Sequence, residues 1–255
     1  MTTVIQMASN IIGAKEFEHC DLGLGDMQTI EGETRYYLTP VGNLVSMTSL
    51  LNLLSDPKAI ERWRKRVGEA EADKITFDAQ ERGNALHDYC EAYLDNRLQR
   101  SDMTHSIAKN LFGMMKQHLD RIELVGGLEQ ALYSKERMYA GRADAIGIVD
   151  EKLCIIDHKN SRTPIKGSKW TTMKLHKYKL QCAGYALALN EMCGMLPTHG
   201  YINVGNVTPR SSDSFMFELK PLFKDIDLLS RAYYTDDKKT RTKLLNKMEY
   251  ARIKQ

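Results

Sequence analysis

Apolar residues in this chain change their period near residue 122, and that change separates a helical region from a strand region. Upstream, "TFDAQERGNALHDYCEAYLDNRL" puts Ala85, Leu86, Tyr89, Tyr93 and Leu94 at helical spacing, and "THSIAKNLFGMMKQHLDRI" is a second amphipathic helix. "SLLNLLSDPKAIERWRKRV" predicts a helix divided at Asp56-Pro57, with Ser46 or Thr48 as its cap. Ahead of it, "TRYYLTPVGNLVSM" reads as two short strands around a turn at Pro40 to Asn43, and residues 1–30 are irregular. Downstream, "ELVGGLEQALYSKERMYAGRADAIGIVDEKLCIIDHKN" reads as a strand meander with turns near Gly126-Gly127 and Asp150-Glu151. A helix over "YKLQCAGYALALNEMCG" ends at Gly194, "THGYINVGNV" and "SFMFEL" are further strands, and a C-terminal helix closes the chain. This order predicts an α/β (α+β layered) fold: a central mixed sheet flanked by helices, with a helical N-terminal part.

The length of 255 residues, 42% hydrophobic and 27% charged, fits one soluble domain. We expect an N-terminal arm over 1–34, a core over 35–235 and a basic C-terminal helix over 236–255. No apolar run approaches the ~20 residues that a membrane-spanning helix needs, and no secretory signal heads the chain. The five cysteines form no CxxC pair, which argues against zinc and iron–sulfur sites and for reduced thiols in a cytoplasmic compartment. The net charge of +3 decides little, but its distribution is informative. Residues 162–180 carry many cations and no acid, and the run from Lys238 onward has Glu249 as its only acid. Such runs are solvated faces or contacts for phosphate.

"CIIDHKNS" poses the chemical question. An apolar strand ends on Asp157 and Lys159, charges that are costly to desolvate without partners. Alternation sends Asp157 and Lys159 to one face and His158 to the other. A turn at Asp150-Glu151 lies nearly midway between Asp144 and Asp157, so a hairpin would bring these carboxylates together. Their repulsion would be relieved by a cation with oxygen ligands, Mg²⁺ or Mn²⁺. A metal lowers the pKa of water, and an adjacent ammonium orients that water and offsets charge on a phosphate under attack. A surface turn with an Asp–Lys pair explains the same residues without chemistry. On the upstream helix, His87 and Glu91 share a face one turn apart, as a ligand and its support or as ordinary helix residues. Gln181 and Tyr185, also one turn apart, face the strand ends or form a polar edge. Trp170 stacks on a base or anchors the core.

Taken in order, these elements resemble the PD-(D/E)XK nuclease superfamily in its RecB-like branch. Its G-x-x-x-H-x-x-x-E helix is met by Gly83-His87-Glu91, its G-x-x-D strand by Gly141-Asp144, its D-x-K strand by Asp157-Lys159 and its Q-x-x-x-Y helix by Gln181-Tyr185. The likeness is greatest to the mitochondrial genome maintenance exonuclease group and its phage-encoded relatives, through "VSMTSLL", "AIERWRKR" and "EKLCIIDHKNS", and spans roughly residues 35–235. The resemblance implies a restriction-endonuclease-like core and a Mg²⁺- or Mn²⁺-dependent exonuclease preferring single-stranded DNA with free ends. It implies work in replication, recombination or repair, in the host cytoplasm if the chain is phage-encoded. It implies metal ligation by His87, Asp144, Asp157 and the His158 carbonyl, a catalytic Lys159 and active-site support from Gln181 and Tyr185. Glu129 falls where related enzymes carry an acid, with Glu91 as further support. Arg142, Ser161, Arg162, Lys166, Lys169, Trp170, Lys174 and Lys177 are the expected DNA contacts. Two departures stand out: Asn160 replaces the usual Thr after the lysine, and the cysteines of the iron–sulfur relatives are absent, so no cluster is expected. An endonuclease of this fold and a non-catalytic DNA-binding protein are the alternatives.

Overall fold

The computed structural model describes residues 15–56, 58–165 and 169–254. Four short strands come first: β1 (Glu18–His19), β2 (Gln28–Ile30), β3 (Tyr36–Thr39) and β4 (Gly42–Ser46). Helix α1 (Met47–Leu51) follows, capped by the Ser46 side chain, then α2 (Ala59–Val67), α3 (Glu69–Leu94) and α4 (Ser106–Leu119). The meander is β5 (Ile122–Ser134), β6 (Tyr139–Val149) and β7 (Lys152–Ser161). After it come α5 (Lys169–Cys193), β8 (His199–Asn206), β9 (Ser211–Glu218), α6 (Phe223–Tyr233), α7 (Lys238–Leu245) and α8 (Glu249–Lys254).

The strands form one nine-stranded mixed sheet, in which β4–β6, β7–β8 and β1–β5 are parallel and the other pairs antiparallel. Helices cover both faces. Ile155 packs with Leu180 and Ala183 of α5 and Ile226 of α6, whereas Cys154 and Ile156 pack with Leu86 and Cys90 of α3 and Leu111 and Met115 of α4. This is why β7 begins as an unbroken apolar run: a strand buried on both sides has no solvent face to write in polar residues. Each such Leu or Ile contributes roughly 2 kcal/mol by leaving water, so the middle of the sheet is a firm base for whatever its strand ends carry.

Strand β6 is paired unevenly. One edge is laced to β5 from Tyr139 to Val149. On the other edge, β4 pairs only at Tyr139 and Ala140, and β7 only from Ala145 to Val149. Residues 141–144 therefore border a notch in the sheet between the end of β4 and the outer half of β7.

Several boundaries differ from the sequence reading, each for a local reason. Gly126-Gly127 makes no turn; β5 runs through it with register shifts on both sides of Val125, and the hairpin turn falls at 135–138. Glycine inside a strand marks an irregularity as readily as a turn. Helix α3 begins at Glu69, because its exposed first turns have helix-forming residues but no apolar stripe to betray them. Much of the cationic stretch after β7 forms the first half of α5. The basic C-terminus is two short helices, and Leu244, Met248 and Tyr250 from it are buried in the larger core. The N-terminal part is not simply helical, since the supposed arm supplies β1 and β2 to the sheet; its residues 1–14 lie outside the described residues. Among the described residues, no helix is long and apolar enough to cross a membrane.

Candidate active site

The notch gathers side chains from five elements. Asp144 stands at the end of its β6 stretch, one residue beyond the last ladder pair with β7, Ala145↔Ile156, and so opposite Asp157. Beyond that pair the ladder stops, and the backbone N–H of His158 donates instead to Asp144 Oδ2 at 2.6 Å. A buried amide must find some acceptor, and here a carboxylate replaces the missing strand. Lys159 Nζ donates to Asp157 Oδ1 at 2.6 Å and lies 5.3 Å from the centre of the Tyr178 ring. His87 of α3 reaches Asp144 Oδ2 with Nδ1 at 3.4 Å.

Glycine allows the close approaches. A Cβ at position 141 would fall 2.6 Å from Tyr185 Cε1, so only glycine lets the α5 tyrosine lie on β6. A Cβ at position 83 would meet Asn160 Nδ2 at 3.0 Å, where α3 rests on the end of β7. Gln181 donates through Nε2 to the Tyr185 hydroxyl at 3.2 Å, and both line the same cavity as His87, Asp144 and Lys159, of about 630 Å³.

Glu129 is the residue whose placement exceeds expectation. It lies between the pairs Leu128↔Ala145 and Gln130↔Ala143, opposite Asp144, with a backbone φ of 44°. Holding a side-chain-bearing residue in that left-handed region costs roughly 1–2 kcal/mol, a strain found most often at working sites. His87, Glu129 and Asp144 each offer a ligand atom, all within 4.8 Å of one another, a possible seat for a metal ion. Asp157 stands outside this trio, yet its Oδ2 is buried with no hydrogen-bond partner among the described residues.

The electrostatics follow from burial around few compensating charges. Burial pushes the Glu129 carboxyl up to about 7, the Asp144 charge adds to the rise and His87 partly offsets it. Burial also pushes the Asp157 carboxyl up to about 6, with Lys159 opposing and Asp144 reinforcing. Burial would raise Asp144 as well, but His87 and Lys159 outweigh it and hold that carboxyl well below the usual range. Burial works against a charged Lys159, yet Asp157 and Asp144 keep it protonated. For His87 the same two aspartates overcome burial, so its imidazole holds a proton more firmly than usual. Of the two aspartates facing across the notch, Asp144 holds its charge more firmly than Asp157.

The remaining expected residues divide. Glu91 lines the cavity, but its carboxylate is bridged to Arg97 at 2.7 Å. Arg142, an expected DNA contact, donates to the Glu129 carbonyl at 2.6 Å, to Asp26 Oδ1 at 2.6 Å and to the Met27 carbonyl at 3.2 Å, bracing the strained residue in β5. Lys177 donates to Ser55 at 2.7 Å and lies 5.8 Å from the Tyr250 ring, on the side of the C-terminal helices. Ser161 is buried and accepts from Lys174 Nζ at 3.1 Å. Arg162 is exposed beside it. Lys166 and the side chains of Lys169 and Trp170 lie outside the described residues. The His158 ring is buried on the α3 side, 6.3 Å from the His87 ring, with neither nitrogen hydrogen-bonded. Tyr178 and Arg82 were missed. Tyr178 had a signal, since Tyr178, Gln181 and Tyr185 recur every three or four residues on one helix face.

No family model matches the chain. It is 25% identical over 205 residues to human mitochondrial genome maintenance exonuclease 1, an alignment covering 75% of this chain and 57% of that protein, little over half the relative's length. The crystal structure of SSO0001 aligns with it at 13% identity, covering 93% of this chain and 89% of that one, with a TM-score of only 0.33. The chain is thus distantly similar to a known exonuclease.

Proposed function

We propose that this protein is a divalent-metal-dependent nuclease of the PD-(D/E)XK type, RecB-like branch, that hydrolyses phosphodiester bonds in DNA from the free ends of single strands. The observation that carries the reading is the notch: an Asp–Lys pair on one strand, and an Asp–His–Glu trio beside it, around a cavity large enough for a nucleotide. Aspartates placed opposite each other in a buried gap, one with an unpartnered oxygen, fit a cation better than they fit an internal salt bridge. Hard oxygen donors with one imidazole suit Mg²⁺ or Mn²⁺. His87, Glu129, Asp144 and Asp157 would hold it, with the His158 carbonyl in addition. When bound, such an ion supplies Lewis acidity toward the phosphate and makes water a better nucleophile.

The chain's own residues do the rest. Lys159, fixed by Asp157 and by the Tyr178 ring, presents an ammonium that orients the attacking water and offsets charge building on the phosphate. Gln181 and Tyr185 form a polar wall that positions the phosphodiester against it. Substrate DNA, action from strand ends and a part in replication, recombination or repair are supported by the similarity to the genome maintenance exonuclease. The unpaired cysteines support a reducing, cytoplasm-like setting.

The test is cleavage of end-labelled linear and circular single strands. Linear strands should be degraded with Mn²⁺ and left intact in EDTA, and circles should survive both. Cleaved circles would make the enzyme an endonuclease. DNA binding that ignores metal, with no cleavage under any condition, would leave only a scaffold.

A further inference from the structure

Asn160 follows the reactive lysine and belongs to two cavities at once. It lines the central one and, with Ala79, a second of about 550 Å³ between α3, the end of β7 and α5. Its Oδ1 accepts a hydrogen bond from Arg82 Nε at 3.0 Å. Arg82, Arg162 and Lys174 line the second cavity, and Glu71 and Asp78 stand on its α3 rim. Among the described residues neither Arg82 nor Arg162 forms an ion pair with a carboxylate. Burial pushes the Arg82 guanidinium down, with Asp78 offsetting only part of it, and Lys174 is pushed down by burial and by the charge of Lys159. The lining holds three cations against Glu71 and Asp78, and its two arginines, paired with no carboxylate among the described residues, suit an anionic occupant. Val207 and Thr208 continue the groove into a smaller cavity that ends at Arg210.

We propose that this groove holds the phosphates of the DNA strand next to the scissile one, with Arg82, aimed by Asn160, taking the first of them. The assignment rests on the nuclease reading above and adds to it the path of the strand. An extended row of cations leading away from Lys159 suits a polyanion with regularly spaced charges. Arg82 gives Nη1 to the Asp78 carbonyl of its own helix at 3.5 Å and keeps Nη2 for a phosphate. The amide is suited to its place: Asn160 orients Arg82 without neutralising it, which an aspartate would not do. The departure from threonine after the lysine thus serves a partner on α3.

The test uses the full chain and a fluorescent single-stranded oligonucleotide. Affinity is measured by anisotropy in EDTA, where nothing is cut, over a range of salt. Arg82→Ala and Arg162→Ala should each weaken binding by about tenfold. Each should also reduce the slope of log K against log salt by about 0.7, the share of one phosphate contact on a single strand. Asn160→Asp should weaken binding in the same direction although its contact with Arg82 can persist. With Mn²⁺, the cleavage defect of Arg82→Ala should grow with oligonucleotide length. Unchanged affinity and salt slope in both arginine variants would overturn the groove, even if the wild-type chain cuts DNA. A wild-type chain that cuts nothing while these variants lose binding would overturn the nuclease reading and leave the groove standing. Should Arg82→Ala melt early, Arg162→Ala decides, because its side chain is exposed.

Discussion

Two charge clusters flank strand β6, and they are built on opposite principles. Just before the strand, Arg137 pairs with Glu191 at 2.6 Å and with Asp227 at 2.7 Å, and Glu191 also accepts from the Ser134 hydroxyl at 2.6 Å and the Glu136 amide at 3.1 Å. The Arg137 carbonyl is taken by Ser230 at 2.6 Å, so the cluster ties the hairpin to α5 and α6 with its main groups answered. Within the strand, Asp144 faces Asp157, the Asp157 Oδ2 has no partner and Glu129 sits in a strained backbone conformation. The first cluster reaches the surface through Asp227 and is complete, whereas the second is buried and lacks a positive charge. A finished network holds elements together; an unfinished one inside the fold has a place for a ligand.

The strongest way to break this contrast is to remove the reactive pair. Asp157→Asn or Lys159→Met should cut hydrolysis by about a thousandfold or more, the scale seen for loss of a key charge at a reacting phosphate or carbonyl. Lys159→Met alone should also destabilise by about 3 kcal/mol, since it strands a buried carboxylate, whereas the double replacement should recover much of that loss. Substantial cleavage by either single variant would end the catalytic reading. At the other cluster, Arg137→Met should cost about 3 kcal/mol in denaturant unfolding yet leave cleavage per folded molecule close to wild type. A catalytic loss as large as its stability loss would erase the distinction between the two regions.

Gly141→Ala sharpens the comparison, because it disturbs the notch without touching a charge. The added methyl meets the Tyr185 ring, and overpacking of this kind costs about 1–3 kcal/mol. Activity should fall with it, and Tyr185→Phe, which keeps the ring, should not rescue it. The smallest effect is in pH. Glu129 ionises near 4.5 when exposed and is pushed up to about 7 in the fold, by burial first and by Asp144 second. Between those pH values the folded chain holds a proton that the unfolded chain has lost, so this residue's contribution to stability declines as pH rises through the window. Metal-free melting temperatures of wild type minus Glu129→Gln should therefore drop across that range. A difference that stays flat or climbs would place Glu129 in a more open setting.

Much of the notch was legible because it obeys short-range arithmetic. Alternation put Asp157 with Lys159, equal distance from the turn put Asp144 opposite Asp157, and helical spacing paired Gln181 with Tyr185. The rest depends on events that periodicity does not encode. Glu129 joins His87 and Asp144 through a positive φ, which no residue pattern in "GGLEQAL" announces. Arg82 meets Asn160 across 78 residues of chain, and Arg142 turns to Asp26 across 116. The early turns of α5 were hidden because lysines and threonines interrupt any apolar stripe there. Gly126-Gly127 carried a genuine irregularity, but glycine pairs do not say whether a strand bends or ends.

The interrupted edge of β6 has a further consequence. A sheet stitched above and below a short unlaced seam is loosest along that seam, and those backbone amides of 141–144 that point into it should trade protons with solvent sooner than their laced neighbours. An ion gripped by side chains on both margins would act as a clasp and slow that exchange. Such a protein would keep its slackest fabric where it works and draw it tight only when loaded.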